Sequence, residues 1–166
     1  MARLQKLKLH DLQYTPHVGP VRGVACSPFH HNVFATCGAD GALRLYSALQ
    51  PRPLLMLEPA DAGLTTVAWS AVRPAVLAAG TSDGCVAVYD LASSRQRPAR
   101  VLDVCSDRLP VRGLAFNHAQ GRLMAALSPQ GAAVYELPAR FGQARTREGA
   151  VLERLAESSW AAADTD

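Results

Sequence analysis

Apolar and polar residues alternate along most of this chain, in short runs separated by residues that favour turns. The runs at 21–26, 33–37 and 42–46 are of this kind. A period of two places successive side chains on opposite faces of a strand, so each run predicts a half-buried β-strand. Further strands are predicted over 3–14, 54–57, 65–69, 76–79, 85–89, 100–104, 111–116, 122–127 and 132–137.

The connections between several of these runs have the chemistry of tight turns. Asp40-Gly41 lies between the second and third runs, and Asp83-Gly84 lies at the corresponding place downstream. An Asp-Gly pair favours the two-residue type I′ turn, in which both central residues have positive φ. We therefore predict a type I′ hairpin at Asp40-Gly41 and an equivalent turn at Asp83-Gly84.

The predicted strands recur as one unit that is repeated three times. Equivalent positions of the three copies hold Gly41, Gly84 and Gly131, and likewise Tyr46, Tyr89 and Tyr135. A repeat of about 40–45 residues with four short strands is typical of β-propeller blades, which bury their apolar faces against one another. The sequence thus predicts an all-β fold, a partial β-propeller of about three four-stranded blades.

The repeat also predicts the boundaries of the blades, at 17–58, 59–106 and 107–137. Residues 1–16 would supply the last strand or strands of an incomplete preceding blade. The third blade lacks an obvious pattern for a fourth strand. Because closed propellers usually contain four to eight blades, we expect this chain to be a fragment or a short product of a longer protein.

The tail, residues 138–166, has a different pattern and ends in residues that we expect to fray. Val151, Leu152 and Leu155, with Trp160 beyond them, are spaced for one face of an amphipathic helix. We predict a short C-terminal helix that either covers an exposed edge of the blades or docks on a partner.

Composition narrows the class of protein. The chain has 166 residues, of which 49% are hydrophobic and 19% charged, and this is a globular rather than a disordered composition. The net charge is +3, and the basic residues are scattered rather than gathered in a stripe with aromatic residues. No apolar run approaches the roughly 18–20 residues that a membrane helix requires. We therefore expect no nucleic-acid partner and no membrane partner.

The four cysteines have no spacing that favours a metal site. None forms a C-x-x-C pair, and no histidine lies beside them at zinc-finger spacing. Cys26, Cys37 and Cys85 lie in predicted strands, so we expect them to be small, buried and apolar. Reduced thiols fit a cytosolic protein.

Residues with catalytic potential are explained by their place in the repeat. His30-His31 lies in a polar turn with no acidic or cysteine residue at ligand spacing nearby, so an exposed turn is expected. Asp40 and Asp83 are turn residues rather than a catalytic carboxylate pair. No nucleophile elbow and no phosphate-binding loop is present. We expect no enzyme, with no catalytic residues, no cofactor and no metal.

Two short segments carry a resemblance to the WD40 family. Residues 17–21 resemble the opening of a WD40 blade, and 86–91, VAVYDL, resembles the end of its third strand. In that family a His, a Ser or Thr, the turn Asp and a Trp hydrogen-bond within one blade. The resemblance implies structural blade positions at His17, Thr36, Asp40, Tyr46, Asp83, Tyr89 and Tyr135, with the tyrosines in the Trp place. Ala79 and Gln130 depart from the pattern, so the tetrads are partial.

Longer stretches are similar to a narrower group. The segments from SPFHHN to LYSALQ, WSAVRP and the tail after Phe141 resemble the C-terminal half of the dynein intermediate chains, above all the cytoplasmic dynein 2 type. The similarity covers roughly residues 17–157. Ordinary WD40 proteins lack these segments, so the resemblance is more specific than the blade pattern.

The resemblance implies a function as a non-enzymatic scaffold. Such a chain would bind the dynein 2 heavy chain beside the other intermediate chain of the complex, and it would support retrograde intraflagellar transport and cilium assembly. Its expected location is the cytoplasm, the cytoskeleton and the cilium, at axoneme and basal body. Light chains are not expected to bind, because the N-terminal region that binds them is missing.

Two other functions fit a propeller in general. The chain could be a WD40 adaptor or substrate receptor of another complex, such as a ubiquitin ligase, although SPFHHN and WSAVRP argue against it. It could also be a propeller hydrolase, but convergent acid, base or metal residues are absent from its pattern.

A partner face is the remaining candidate site. Arg22 and Arg112 occupy the same position of the repeat, and Trp69 lies at the centre of a predicted strand. Because Arg and Trp are enriched at binding hot spots, these three are candidate partner residues. The alternative is solvated strand positions for the arginines and core packing for Trp69. Arg44 and Arg73 lie in or beside other strand ends and could join the same face.

Overall fold

The computed structural model describes residues 12–57 and 62–158, and within them the chain forms three antiparallel sheets. Blade one consists of β1 (Val21–Cys26), β2 (Val33–Gly38), β3 (Leu43–Ser47) and β4 (Leu55–Leu57). Blade two consists of β5 (Leu64–Trp69), β6 (Val76–Thr81), β7 (Cys85–Asp90) and β8 (Arg100–Asp103). Blade three consists of β9 (Gly113–Phe116), β10 (Leu123–Ser128) and β11 (Gly131–Glu136). In each blade every strand pairs with its neighbour in sequence.

Some predicted features fall on residues that are not described. The strand predicted over 3–14 lies mostly outside the described residues, and 12–14 are not in a strand. Trp160 of the predicted helix also lies outside them. The other predicted strands are present, with ends that differ by one or two residues.

Strand β6, inside the sheet of blade two, shows how alternating side chains allow one blade to pack against two neighbours. Val76 and Ala78 belong to the core shared with blade three, whereas Leu77 and Ala79 belong to the core shared with blade one. All four side chains have 0% exposure. Because successive side chains of a strand point to opposite faces, a strand that is buried on both faces needs a neighbour on each side.

Two apolar cores therefore hold the blades together. The first joins blades one and two through large residues such as Leu45, Leu57, Trp69, Leu77 and Tyr89. The second joins blades two and three through residues such as Val88, Val111, Phe116, Met124 and Leu137. Complete burial of one large apolar side chain stabilises a fold by about 1.5–3 kcal/mol, so the interfaces between blades are the main source of stability.

At the two ends of the array, β1 of blade one and β11 of blade three are largely exposed, whereas β3 of blade one is buried along its whole length. In β1 the side chains of Val21 and Val24 are 56% and 66% exposed. At the other end of the array, Leu127 and Val134 are 47% and 68% exposed. The prediction of an all-β, partial β-propeller is confirmed, and blade three has three strands among the described residues, in agreement with the missing pattern for a fourth.

The first strand of blade three begins at Gly113, two residues later than predicted. Val111 is fully buried, and its N–H donates to the carbonyl of Thr81 in blade two at 3.0 Å. The residue thus belongs to the contact between blades rather than to the ladder of its own sheet. A pattern of apolar residues cannot show whether a backbone N–H pairs within its own sheet or donates to the neighbouring blade.

The hairpin turn of blade one is not of type I′. Gly41 has φ of +76°, but Asp40 is not among the described non-glycine residues with positive φ. The N–H of Gly41 donates to the carbonyl of Gly38 at 3.2 Å, which closes an ordinary turn before the left-handed glycine. This longer connection leaves the Asp40 side chain free to accept hydrogen bonds, which a two-residue turn would restrict. Blade two repeats the arrangement, with Gly84 at φ +88°.

The tail returns to the blades and packs on them. After a 3-10 turn at Ala139–Phe141, helix α1 (Gly149–Ser158) places Leu152 and Leu155 in the core of blades one and two. Phe141 is fully buried in the core of blades two and three. The predicted helix is therefore present, and its apolar face contacts the chain's own blades.

Candidate functional site

Blade one contains a buried hydrogen-bonded cluster around the turn residue Asp40. Its carboxylate lies 2.9 Å from Nδ1 of His17 and accepts the N–H groups of Val18 at 2.9 Å and Ala42 at 3.2 Å. Nε2 of His17 lies 2.8 Å from the Thr36 hydroxyl, which donates to it when the ring is neutral. The structure brings His17, Thr36 and Asp40 together, as the WD40 resemblance implies.

The electrostatics of this cluster favour a charged Asp40. Burial by itself would raise the pKa of the Asp40 carboxyl, but the hydrogen bonds from His17, Val18 and Ala42 and the charge interaction with His17 outweigh it. The pKa therefore lies below its ordinary value. The cluster ties the segment before β1 to the turn between β2 and β3.

Tyr46 does not extend this hydrogen-bonded chain, as the Trp of the family does. Its hydroxyl donates instead to the carbonyl of Thr15 at 2.7 Å. Arg44 supports the same segment, because its guanidinium donates to Pro16 at 2.8 Å and to Asp40 at 3.4 Å. Arg44 is 6% exposed, so its assignment to a partner face is wrong.

Blades two and three replace the cluster with other bonds. In blade two the Asp83 carboxylate accepts from the Thr81 hydroxyl, which takes the place of a histidine. In blade three Gln130 stands in the Asp place, and its amide donates to Asp107. The turn position of each blade therefore holds a hydrogen-bonding side chain, but its hydrogen-bond partner differs from blade to blade.

The three repeat tyrosines differ in how their hydroxyl groups are satisfied. Tyr46 donates to Thr15, and Tyr135 donates to the carbonyl of Val104 at 3.2 Å. The hydroxyl of Tyr89 is buried and has no hydrogen-bond partner among the described residues. Burial also raises the pKa of this hydroxyl well above its ordinary value.

A second ionic cluster, around Arg73, was not foreseen from the sequence. Arg73 is fully buried, and its guanidinium donates to Asp90 at 3.1 Å and to the carbonyl of Arg140. Two further bonds reach both carboxylate oxygens of Glu148, one of them 3.0 Å from Nε. A buried guanidinium requires such partners, so Arg73 cannot belong to a partner face. The signal that could have revealed it is Arg73 in WSAVRP together with Asp90 at the WD position.

Trp69 is a core residue and does not lie on a partner face. Its side chain is 7% exposed in the core of blades one and two, and the indole N–H donates to the carbonyl of Pro74 at 2.9 Å. The assignment of Trp69 to a partner face is therefore wrong, because both its apolar surface and its one donor are already used.

Arg22 and Arg112 are the candidate partner residues that remain exposed. They line one cleft of about 540 Å³, together with Thr65, Ser82 and Leu64. Arg22 lies in β1 of blade one, Thr65 lies in β5 of blade two, and Arg112 directly precedes β9 of blade three. The cleft therefore lies along the first, inner strands of the three blades. The lining residues that the structure describes include no aspartate and no glutamate.

The cysteines are all free, but they are not alike. Cys37 is buried, and burial raises the pKa of its thiol to about 12. Cys105 is also buried, whereas Cys85 is half-buried. The prediction that Cys26 is buried is wrong, since it lies on the exposed face of blade one.

The remaining residue types that could bind a metal or act in catalysis do not form a site among the described residues. His30 and His31 lie in a turn, with parallel rings 5.3 Å apart. Among residues 12–57 and 62–158, no group of three or more His, Cys, Asp or Glu side chains is placed to hold a metal ion. In the same residues no helix is long and apolar enough to cross a membrane.

Comparison with known proteins gives the family. The family model described as the dynein axonemal intermediate chain 3 WD40 domain matches residues 3–133. The chain belongs to the WD40 family of dynein intermediate chains. This confirms the family that the sequence resembles.

The similar relatives are dynein intermediate chains. Cytoplasmic dynein 2 intermediate chain 2 of Homo sapiens is 42% identical over 144 residues, which cover 86% of this chain and 27% of the human protein. The Mus musculus protein of the same name is 41% identical over 143 residues, with the same shares. Dynein axonemal intermediate chain 2 of Rattus norvegicus is 35% identical over 97 residues, which cover 58% of this chain and 16% of the rat protein.

The chain therefore spans about a quarter of the length of the dynein 2 relatives that it matches. The region that matches the family model, residues 3–133, includes Arg22 and Arg112.

Proposed function

We propose that this chain is a non-enzymatic scaffold of a dynein 2 complex that binds the dynein heavy chain beside the other intermediate chain. In this role it supports retrograde intraflagellar transport and cilium assembly, at the basal body and axoneme. The observation that carries the proposal is the 42% identity with human cytoplasmic dynein 2 intermediate chain 2 over 86% of this chain.

The mechanism that fits the fold is presentation of rigid surfaces. Blade two is buried on both faces, and the tail is fastened to it through Arg73, so the blades cannot slide past one another at low cost. A rigid surface loses little conformational entropy on binding. The exposed apolar residues Val24 and Val134, at the two ends of the array, offer further contact area.

A pull-down with the heavy-chain tail tests the proposal. The tagged chain and the full-length human relative are each incubated with a purified heavy-chain tail. We expect both to retain the tail. Retention by the human relative but not by this chain would overturn the proposal for this chain.

The composition of complexes formed in cells separates the dynein role from that of another WD40 adaptor. The tagged chain is expressed in ciliated cells, purified and examined by mass spectrometry. The expected partners are the heavy chain and the other intermediate chain of dynein 2. Ubiquitin-ligase subunits in their place, with tagged protein absent from cilia, would contradict the proposal.

A further inference from the structure

The cleft between the inner strands is built from one repeat position used three times. Strands β1, β5 and β9 lie beside one another, one from each blade. Arg22, Thr65 and Arg112 hold the same position in the three copies, and all three line the cleft. Repetition of the blades thus places two guanidinium groups on either side of one threonine.

A local irregularity sets these residues apart from the sheet ladders. The register of β1 on β2 shifts between Val21 and Gly23, which leaves Arg22 outside the regular pairing. The register of β5 on β6 shifts in the same way between Leu64 and Thr66, around Thr65. Such bulges re-aim side chains and occur beside functional sites.

The two arginines differ from the other buried or paired arginines of the fold. Arg44 and Arg73 each contact a carboxylate, and Arg122 forms an ion pair with Glu136 at 2.8 Å. Within the described residues, Arg22 and Arg112 have no side-chain hydrogen bond and no ion pair. Among the residues of 12–57 and 62–158 that line their cleft, none is acidic, so no carboxylate of the described lining offsets the two guanidinium charges.

The other described polar residues that line the cleft offer a ligand few hydrogen bonds, so the two arginines would dominate ligand recognition. The single proton of the Thr65 hydroxyl is shared between the carbonyl oxygens of Val111 and of Gly80, which lies at 3.1 Å, so this hydroxyl is already used and links blade two to the segment before β9. Ser82 is exposed and offers a hydroxyl to a ligand. A ligand would thus meet two guanidinium groups and one hydroxyl.

We propose that this cleft binds an extended acidic peptide segment of a partner protein, with one carboxylate at Arg22 and another at Arg112. Guanidinium groups match carboxylates in two-bonded geometry. The volume of about 540 Å³ suits a short segment. Single-stranded nucleic acid is less suited, since its sites combine a longer basic groove with aromatic platforms. None of the described residues that line this cleft is aromatic.

This inference goes beyond the proposed function, because it names a ligand chemistry that holds whichever protein carries the segment. Direct binding of a model peptide tests it without any dynein subunit. The probe is a short peptide of alternating Glu and Ser that carries an uncharged dye, and fluorescence anisotropy measures its Kd for the full chain at low salt. The matched control peptide has Gln in place of Glu.

We expect the Glu peptide to bind at least tenfold more tightly than the Gln peptide. Arg22→Gln and Arg112→Gln should each weaken binding about tenfold, as expected for loss of one charge-assisted hydrogen-bonded pair, and the double variant should abolish it. Arg97→Gln, at an exposed arginine in the outer loop of blade two, should leave the Kd unchanged. Circular dichroism confirms that the variants are folded.

Three outcomes would overturn the proposal. Unchanged binding in the double variant would place the peptide elsewhere. Displacement of the peptide by an equal concentration of inorganic phosphate would show a general anion pocket rather than a peptide site. Equal binding of a single-stranded oligonucleotide of matched charge, lost in the double variant, would assign the cleft to nucleic acid.

Discussion

The ionic clusters of blades one and two stabilise the fold in different ways. The Asp40 cluster of blade one joins residues of a single repeat, and its carboxylate is partly accessible to water. The Arg73 cluster of blade two is fully buried and reaches Glu148, a residue 75 positions away in the tail. The first closes one blade, whereas the second fastens the tail to blade two.

The comparison shows what a repeat can and cannot encode. The positions that form a bond within one blade recur with the period, so they can be recognised by aligning copies of the unit, although their partners differ from blade to blade. A bond between a blade and a unique tail has no counterpart in the other copies. Both clusters meet the same physical requirement, namely that a buried charge be paired. The partner of Asp40 lies 23 positions away in the same repeat, whereas Glu148 lies 75 positions from Arg73.

The largest expected effect comes from breaking the Arg73 cluster. Arg73→Met keeps much of the side-chain volume but leaves the carboxylates of Asp90 and Glu148 buried without their cation. Removal of one side of a buried ion pair costs about 3–5 kcal/mol, so the free energy of unfolding should fall by that amount. Urea unfolding followed by circular dichroism measures the loss.

The matched control is Arg97→Met, at an exposed arginine of the same blade. It should change the free energy of unfolding by less than about 0.5 kcal/mol. Equal effects of the two substitutions would show that the Arg73 cluster does not hold the tail to blade two.

Much of the fold could be predicted from sequence because its information is local or periodic. The alternation in β6 and the recurrence of Gly41 and Gly84 indicate strands, turns and stacking without any knowledge of distant contacts. The longer turn at Asp40 was missed, because Asp-Gly satisfies two kinds of connection. The backbone angles of Asp40 and Gly41, together with the hydrogen bond from Gly41 to Gly38, decide between them.

The second expected effect comes from the Asp40 cluster. Asp40→Asn removes the charge that His17, Val18 and Ala42 stabilise, and it should lower the free energy of unfolding by about 2 kcal/mol at neutral pH. Asp103→Asn, at an exposed residue of β8, is the control and should have almost no effect. A cost for Asp40→Asn as small as that of the control would contradict a structural role for the cluster.

The pH dependence of stability sharpens the same test. Because the folded-state pKa of Asp40 lies below its ordinary value of 3.8, its charge stabilises the fold above that value. This contribution is lost as the pH falls below 3.8 and through the folded-state pKa. The difference in unfolding free energy between the wild-type chain and Asp40→Asn should therefore shrink on acidification below 3.8. A difference that grows there would contradict the lowered pKa.

The candidate site could be predicted only in part. Arg22 and Arg112 share a repeat position and are exposed, and their role in a partner face stays a prediction. Trp69 and Arg73 were misplaced as partner residues, because exposure depends on contacts between blades and with the tail. Composition could not show that Cys26 faces outward while Cys37 faces the core. Both lie in strands of one blade, and the side on which a neighbour packs decides their burial.

The smallest expected effect comes from the repeat tyrosines. Their hydroxyl groups have different surroundings, so removing each one in turn compares a hydrogen-bonded hydroxyl with an unpaired one. Tyr46→Phe removes the donor to Thr15 at 2.7 Å and should cost about 1 kcal/mol. Tyr89→Phe removes a buried hydroxyl that has no partner among the described residues, so stability should be unchanged or slightly higher. Urea unfolding with equal m-values measures both. If Tyr89→Phe costs as much as Tyr46→Phe, the Tyr89 hydroxyl has a hydrogen-bond partner, and the two blades then satisfy their tyrosines alike.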